Sequence, residues 1–564
     1  MANRKKTLLV GLDAACWSFV RPLLGAGKMP TLSRLMAGGT AGTLDSTMPA
    51  LTPAAWSSII TGKNPGKHAI FDMTRRRPNS YESMPVNGRM RLGTPFWKRL
   101  NEAGFRVGLV NIPFTYPPDE VDGFVLPGFG APGSVPDLVY PCEVLAYIEE
   151  KYGRYDPVVS PELLRSGRYQ DIYDAEAHHQ ANQVAIANDL AAKYDVDVLA
   201  INLMLLDHMN HKMPDMARVE AAIVQLDKDL QTLLDGFAPD NVMVISDHGT
   251  RRVKGDFLMH AWLRDNGYAV QRKRLPTEKA AIVNWIFVQW LQHHRGWSGV
   301  GEKTARFLLR KMVDSLPTGW LKGFWARVEQ DIPGAQVYAE FSEELDYEKT
   351  RVYPGASYSS VLYFNVKGRE PQGVVDPAEV ASLAAEIRQK LTAVTDPDSG
   401  EPLFVAVHTA DELYTGVAKA IAPDIIIDSY AANWNVLSTF RRGAHAEALR
   451  NRYFANNFKD FGHHSRDGIF VFAGEAFRSD GSFGTAGSVM DVPATLLHLH
   501  GVPVPEDWDG RSLTETFAPA FLAAHSLAYQ PGDAETAVTF DDTLYSDEES
   551  DEIFSHLRAL GYVD

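Results

Sequence analysis

Residues 242–249 read Val242-Met-Val-Ile-Ser-Asp-His-Gly249, a continuous apolar run that stops at a carboxylate, an imidazole and a glycine. An unbroken apolar run of this length reads as a strand buried on both faces, the mark of a parallel sheet covered by helices. The same pattern recurs outward in both directions, at Thr7–Leu12, Val107–Asn111, Val196–Leu203, Ile425–Ile427 and Gly468–Phe472. Helical periodicity fills the intervals, as in Ala175–Tyr194, Met216–Phe237 and Pro377–Thr395. The expected fold is α/β: a mostly parallel central sheet with helices on both faces.

Length permits several units or one large domain with insertions, since 564 residues exceed an ordinary single core. A core is expected over 1–253 and 357–518. Residues 254–356 break the rhythm with tryptophans at 285, 290, 297, 320 and 325 and a basic cluster of Lys303, Arg306, Arg310, Lys311, Lys322 and Arg327. They are expected to form a largely helical cap. Residues 519–564 read as an acidic tail, with Ser546-Asp-Glu-Glu-Ser-Asp-Glu552 ahead of a short amphipathic segment, Ile553–Tyr562.

Composition excludes several function classes. Acidic residues outnumber basic ones 71 to 55, a net charge of −16, which argues against stable nucleic-acid binding. Two cysteines, Cys16 and Cys142, cannot build a disulfide framework or a thiolate zinc cluster, and they suit a reducing, cytoplasmic setting. No window reaches 18 apolar residues without a charge, so no spanning helix is expected. The apolar start ends at Asp13 after six residues, too few for a signal-peptide core.

Chemistry gathers where strands end. Asp13 closes the first strand, Asp207 follows Val198–Leu203 with His211 one helical turn on, and Asp247 and His248 close the strand quoted above. Ligands of open parallel sheets bind outside the carboxyl ends of strands, so these groups are expected to converge. A single aspartate there is ordinarily a helix cap; three of them, two with a histidine alongside, point to a metal crevice. Mixed oxygen and nitrogen donors suit zinc, with manganese as the alternative. His208 and His463 are expected to support the ligands or sit at the surface.

With these residues in view, the chain resembles the type I phosphodiesterase/nucleotide pyrophosphatase branch of the alkaline phosphatase superfamily. The resemblance rests on Val10-Gly-Leu-Asp-Ala14, Thr52-Pro-Ala-Ala-Trp-Ser-Ser-Ile-Ile-Thr-Gly62 with Asn64-Pro-Gly-Lys-His68, the Asp207/His211 pair, Ser246-Asp-His-Gly249 and Gly462-His-His464. Asp491-Val-Pro-Ala-Thr-Leu-Leu497 and Asp509-Gly-Arg-Ser-Leu513 resemble the superfamily's closing helix and turn. It implies two divalent metal ions, one on Asp207, His211 and His464 and the other on Asp13, Asp247 and His248, with Thr52 touching the second as nucleophile. Between the two adjacent histidines, the spacing to Gly468 favours His464 over His463. Sulfatases share the fold but need a cysteine or serine in a Cys/Ser-x-Pro-x-Arg setting, which Cys16 and Thr52 do not offer.

One departure stands out. Eukaryotic relatives carry an asparagine three residues after the nucleophile, where this chain has Ala55; Asn111 is the expected substitute donor to the phosphoryl group. Lys63, Lys67 and Tyr116 are weaker contact candidates. The function implied is hydrolysis of an anionic phosphoester (a nucleotide, dinucleotide or lipid phosphate) through a phosphoryl-threonine. The alternatives are a phosphomonoesterase or phosphonate hydrolase of the same superfamily and, in a different class, a peripheral membrane or partner-binding protein using the Trp-rich insertion. A homodimer is left open.

Overall fold

The computed structural model describes residues 4–133, 135–273, 343–355, 360–430, 433–437, 453–456, 461–534, 536–538 and 545–563. At its centre lies an eight-stranded sheet whose strands in chain order are β1 (Thr7–Leu12), β2 (Gly39–Asp45), β3 (Val107–Ile112), β4 (Gly123–Pro127), β5 (Val198–Leu203), β6 (Asn241–Ile245), β7 (Asp467–Gly474) and β8 (Ser482–Ser488). Across the sheet they lie in the order β8-β2-β7-β6-β1-β5-β3-β4. Every neighbouring pair is parallel except those made by β7, which runs against both β2 and β6.

Burial explains the unbroken apolar runs. Along β1, Leu8, Val10 and Leu12 enter one core while Leu9 enters the other. Helices α2 (Tyr169–Tyr194) and α4 (Met216–Phe237) send Val184, Leu190, Leu226 and Leu230 into the first. The second is covered by α1 (Thr52–Thr61) and α5 (Asp491–Leu499), through Trp56, Ile59, Ile60, Leu496 and Leu497. Each such side chain contributes about 1.5–3 kcal/mol when fully buried, so a strand with no polar face is held from both sides. A short helix, α3 (Leu205–Lys212), follows β5 at once.

Two expectations about direction are corrected. Strand β7 covers the run at 468–472 but is antiparallel, and the run at 425–427 belongs to a separate four-stranded antiparallel sheet. Continuous hydrophobicity reports burial on two faces, and it carries no information on strand direction. This second sheet joins Val352–Pro354, Val361–Phe364, Ala406–Thr409 and Ile425–Asp428. It shares a core with Phe257, Trp262, Ile387 and Trp434. The tryptophans at 285–325 and the basic cluster beside them lie outside the described residues.

The acidic run near the C-terminus starts a helix, α6 (Asp547–Leu560). Ser546 and Glu549 form a reciprocal capping box, and acidic residues in the first turn suit the positive end of the helix dipole. Ile553, Leu557 and Leu560 dock it into the same core as α2 and α4.

Candidate metal centre

Strand register assembles the site. Leu12 of β1 pairs with Leu203 of β5, and Gly11 with Ile245 of β6, so the carboxyl ends of three adjacent strands lie side by side. Asp13, Asp207 in the first turn of α3, and Asp247 with His248 therefore meet, all fully buried. A two-stranded antiparallel sheet completes the set: Gly249–Arg252 pairs with Gly462–Ser465, placing His464 opposite Thr250. Thr52 is the first residue of α1, which Pro53 helps to start and Gly62, at φ +66°, ends.

The distances are short. Thr52 Oγ1 is 3.2 Å from His248 Nε2, which lies 3.6 Å from Asp13 Oδ1 and 3.3 Å from Asp247 Oδ2. On the other side, Asp207 Oδ1 is 3.5 Å from His211 Nε2 and 3.4 Å from His464 Nε2, and the two imidazole nitrogens are 3.1 Å apart. The rings of His248 and His464 stack at 3.8 Å and join the halves. Donor atoms of Asp13, Asp247 and His248 lie within 4.8 Å of one another, as do those of Asp207, His248 and His464.

Whether these residues suit metal ions can be tested on their own hydrogen bonding. Asp13 Oδ1, Asp207 Oδ1 and Asp247 Oδ2 are buried without a hydrogen-bond partner, a costly arrangement for any carboxylate that keeps its charge. Both key imidazoles are tied from behind. His248 Nδ1 lies 3.0 Å from the Gly249 carbonyl and His464 Nδ1 lies 2.8 Å from that of Ala50. A carbonyl only accepts, so Nδ1 carries the proton in each ring and Nε2 offers its lone pair to the cluster, the arrangement usual for metal-binding histidine. The donor set fits divalent cations, with His248 common to the two clusters.

Electrostatics point the same way. Burial, reinforced by the charge of Asp247, pushes the Asp13 carboxyl well up, and burial with Asp207 pushes Asp247 up to about 8. For Asp207 burial acts upward, but the surrounding His211 and His464 outweigh it and hold the group well below the usual range. Burial, aided by His464, lowers His248 to about 4. Three carboxyls in one dry crevice repel each other's charge, and bound cations would relieve that.

The remaining expected residues fall in various places. His463 accepts the His464 backbone N–H on its Nδ1 at 2.7 Å, so it is His464 that turns its Nε2 to Asp207. His208 pairs with the buried Glu176 at 3.0 Å; burial opposes its charge, Glu176 outweighs that, and the ring is raised to about 8. Asn111, at φ +54° in a bulge of β3, donates to the Asn202 carbonyl at 2.8 Å. Lys63 is paired with Asp507 and Asp533, Lys67 with Asp509, and Tyr116 with Asp137. His68 braces α1 through Ser58, 3.0 Å away.

Two residues escape a reading of the sequence. Asn202 donates to Asp13 Oδ2 at 2.8 Å, and a lone asparagine inside an apolar strand was the available signal. Tyr562 donates its hydroxyl to Asp207 Oδ2, and no local pattern announces it.

The sequence profile described as type I phosphodiesterase / nucleotide pyrophosphatase matches residues 7–464. None of the curated proteins matches the chain. Among solved structures, human ectonucleotide pyrophosphatase/phosphodiesterase 5 is similar at 14% identity and a TM-score of 0.47, covering 91% of this chain and 100% of its own. Phosphonoacetate hydrolase from Sinorhizobium meliloti, in complex with phosphonoformate, is similar at 13% identity and a TM-score of 0.48, covering 87% and 94%. The murine phosphodiesterase 5, as an inactive variant in complex with AMP, stands at 11% and 0.48, covering 91% and 100%.

Proposed function

The chain belongs to the type I phosphodiesterase/nucleotide pyrophosphatase family, and on that premise we propose that it cleaves an anionic phosphodiester or pyrophosphate through Thr52. Two divalent cations, zinc first and manganese as the alternative, would be held by Asp13, Asp247 and His248 and by Asp207, His211 and His464. More coarsely, the chain is a hydrolase of the phosphodiesterase/pyrophosphatase type. The observation that carries the finer reading is the Thr52 hydroxyl, 3.2 Å from the His248 imidazole that faces the orphaned oxygens of both Asp13 and Asp247.

Cations bound in this cluster would lower the pKa of the Thr52 hydroxyl and offset charge on the phosphoryl oxygens. Thr52 Oγ1 gives up its proton to solvent and attacks phosphorus, its bond to phosphorus forming as the bond to the leaving oxygen breaks on the opposite side and that oxygen takes up a proton. The phosphoryl group then rests on Thr52. Water attacks from the vacated side, the Thr52 O–P bond breaks, and the threonine oxygen recovers a proton. As the first residue of α1, Thr52 sits at the positive end of that helix, which favours the anionic group it carries. Gly249 and Ala50 hold the rings of His248 and His464 in place throughout. Asn111 is proposed to donate to a phosphoryl oxygen in place of the asparagine that Ala55 replaces. The two cysteines, one buried and one exposed, are unpaired, in keeping with the cytoplasmic setting proposed here.

The test is a substrate panel of bis(p-nitrophenyl) phosphate, p-nitrophenyl phosphate and phosphonoacetate, with wild type and Thr52→Ala. Diester turnover that exceeds the other two and vanishes in the variant supports the reading. Preference for phosphonoacetate would move the chain to phosphonate hydrolysis, and full activity of Thr52→Ala would refute the nucleophile.

A further inference from the structure

The C-terminal helix ends in a turn that reaches the metal centre. Gly561, at φ +97°, reverses the chain, and the backbone N–H groups of Gly561 and Tyr562 both return to the Leu557 carbonyl, at 3.0 and 2.9 Å. This double closure is the usual glycine-dependent end of a helix. It carries Tyr562 inward: the side chain is 5% exposed, its ring lies 5.2 Å from that of His211 and 5.6 Å from that of Phe129, and its hydroxyl donates to Asp207 Oδ2.

The two oxygens of Asp207 are thereby made different. Oδ2 is taken by a phenol, whereas Oδ1 has no hydrogen-bond partner and faces His211 and His464 at 3.5 and 3.4 Å. We propose that Tyr562 is a positioning residue for the metal centre, fixing Asp207 so that only Oδ1 is offered to a cation and so that Asp207 binds through one oxygen. Groups that hydrogen-bond a metal-ligating carboxylate orient it, and their loss typically lowers metal affinity about 10- to 100-fold.

One of the two sites is therefore completed by a segment that the sequence presents as an acidic tail. The hydroxyl is an independent contribution, since the ring's packing against Phe129 and His211 survives its removal. The inference rests on the reading of Asp207 as a metal ligand.

The experiment titrates zinc into metal-free full-length wild type and Tyr562→Phe, by calorimetry or competition with a chromophoric chelator, beside the thermal melting of both metal-free proteins. The expected result is equal melting, two zinc ions per wild-type chain, and one of the two bound about 10- to 100-fold more weakly by the variant. A second measurement uses cobalt(II): release of Oδ2 lets the carboxylate bind through both oxygens, so the visible spectrum of that site should change in Tyr562→Phe. Equal zinc affinities with identical cobalt spectra would overturn the proposal. If wild type takes up no zinc or cobalt, the metal reading itself fails and Tyr562 falls with it. If wild type binds and only the variant does not, Tyr562 alone is implicated.

Discussion

His464 Nε2 lies 3.4 Å from Asp207 Oδ1, a contact between residues distant in sequence: Asp207 sits on α3, and His464 on the strand Gly462–Ser465 that pairs with Gly249–Arg252. His211 lies 3.1 Å from the same nitrogen. Replacing His464 with glutamine should therefore reduce bound metal from two ions to one and cut diester turnover by at least about 100-fold. His463→Gln should leave the metal count at two. Plasma emission analysis of dialysed protein reads both.

Asn111 offers a sharper choice. Its amide donates to the carbonyl of Asn202, whose own side chain donates to Asp13 at 2.8 Å. If it also donates to the phosphoryl group, Asn111→Ala should lower kcat by about 10²- to 10³-fold with metal content unchanged, the loss expected for one oxyanion donor. An equal fall in metal affinity would reduce it to a brace for Asn202 and Asp13.

Gly11 lies in β1, two residues before Asp13 and beside Asn202 and Trp56. A Cβ there would stand 2.4 Å from Asn202 Oδ1 and 2.6 Å from the Trp56 ring. Both are fully or almost fully buried, so neither can give way freely. Gly11→Ala should cost about 1–3 kcal/mol in a urea unfolding titration, the usual price of overpacking, and should weaken metal binding through Asn202 and Asp13.

Acid should destabilise the protein through His68. Its Nδ1 accepts the Ile70 N–H at 3.2 Å, its Nε2 faces Ser58, and burial lowers the ring to about 3. Unfolded, this histidine takes up a proton near pH 6.5, so the unfolded chain binds more protons between about 6.5 and 3. The stability it contributes is present above pH 6.5 and is lost progressively as pH falls to about 3. Melting temperatures of His68→Gln should show a shallower acid limb than wild type over that window.

Much of the centre was legible because buried strands tolerate no charge along their length. When the run 242–246 or Thr7–Leu12 gives way to an aspartate, the strand end and the candidate ligand are found together. Strand direction was not legible at 425–428 or 467–474, since two-sided burial looks alike in parallel and antiparallel surroundings. The two-stranded sheet that delivers His464 depends on pairing between remote segments, which local periodicity does not encode. Tyr562 was hidden for a related reason. Its position follows from the docking of α6 and the turn at Gly561, whereas the sequence there shows only an acidic run before a few apolar residues.

The most direct measurement is mass spectrometry of the peptide containing Thr52, from enzyme mixed with a diester and quenched in acid within the first turnovers. The account predicts one added phosphoryl group, or the substrate's phosphoryl moiety, on Thr52, absent when metal has been removed and absent in Thr52→Val. An unmodified Thr52 under conditions of rapid turnover, or undiminished hydrolysis by Thr52→Val, would contradict it.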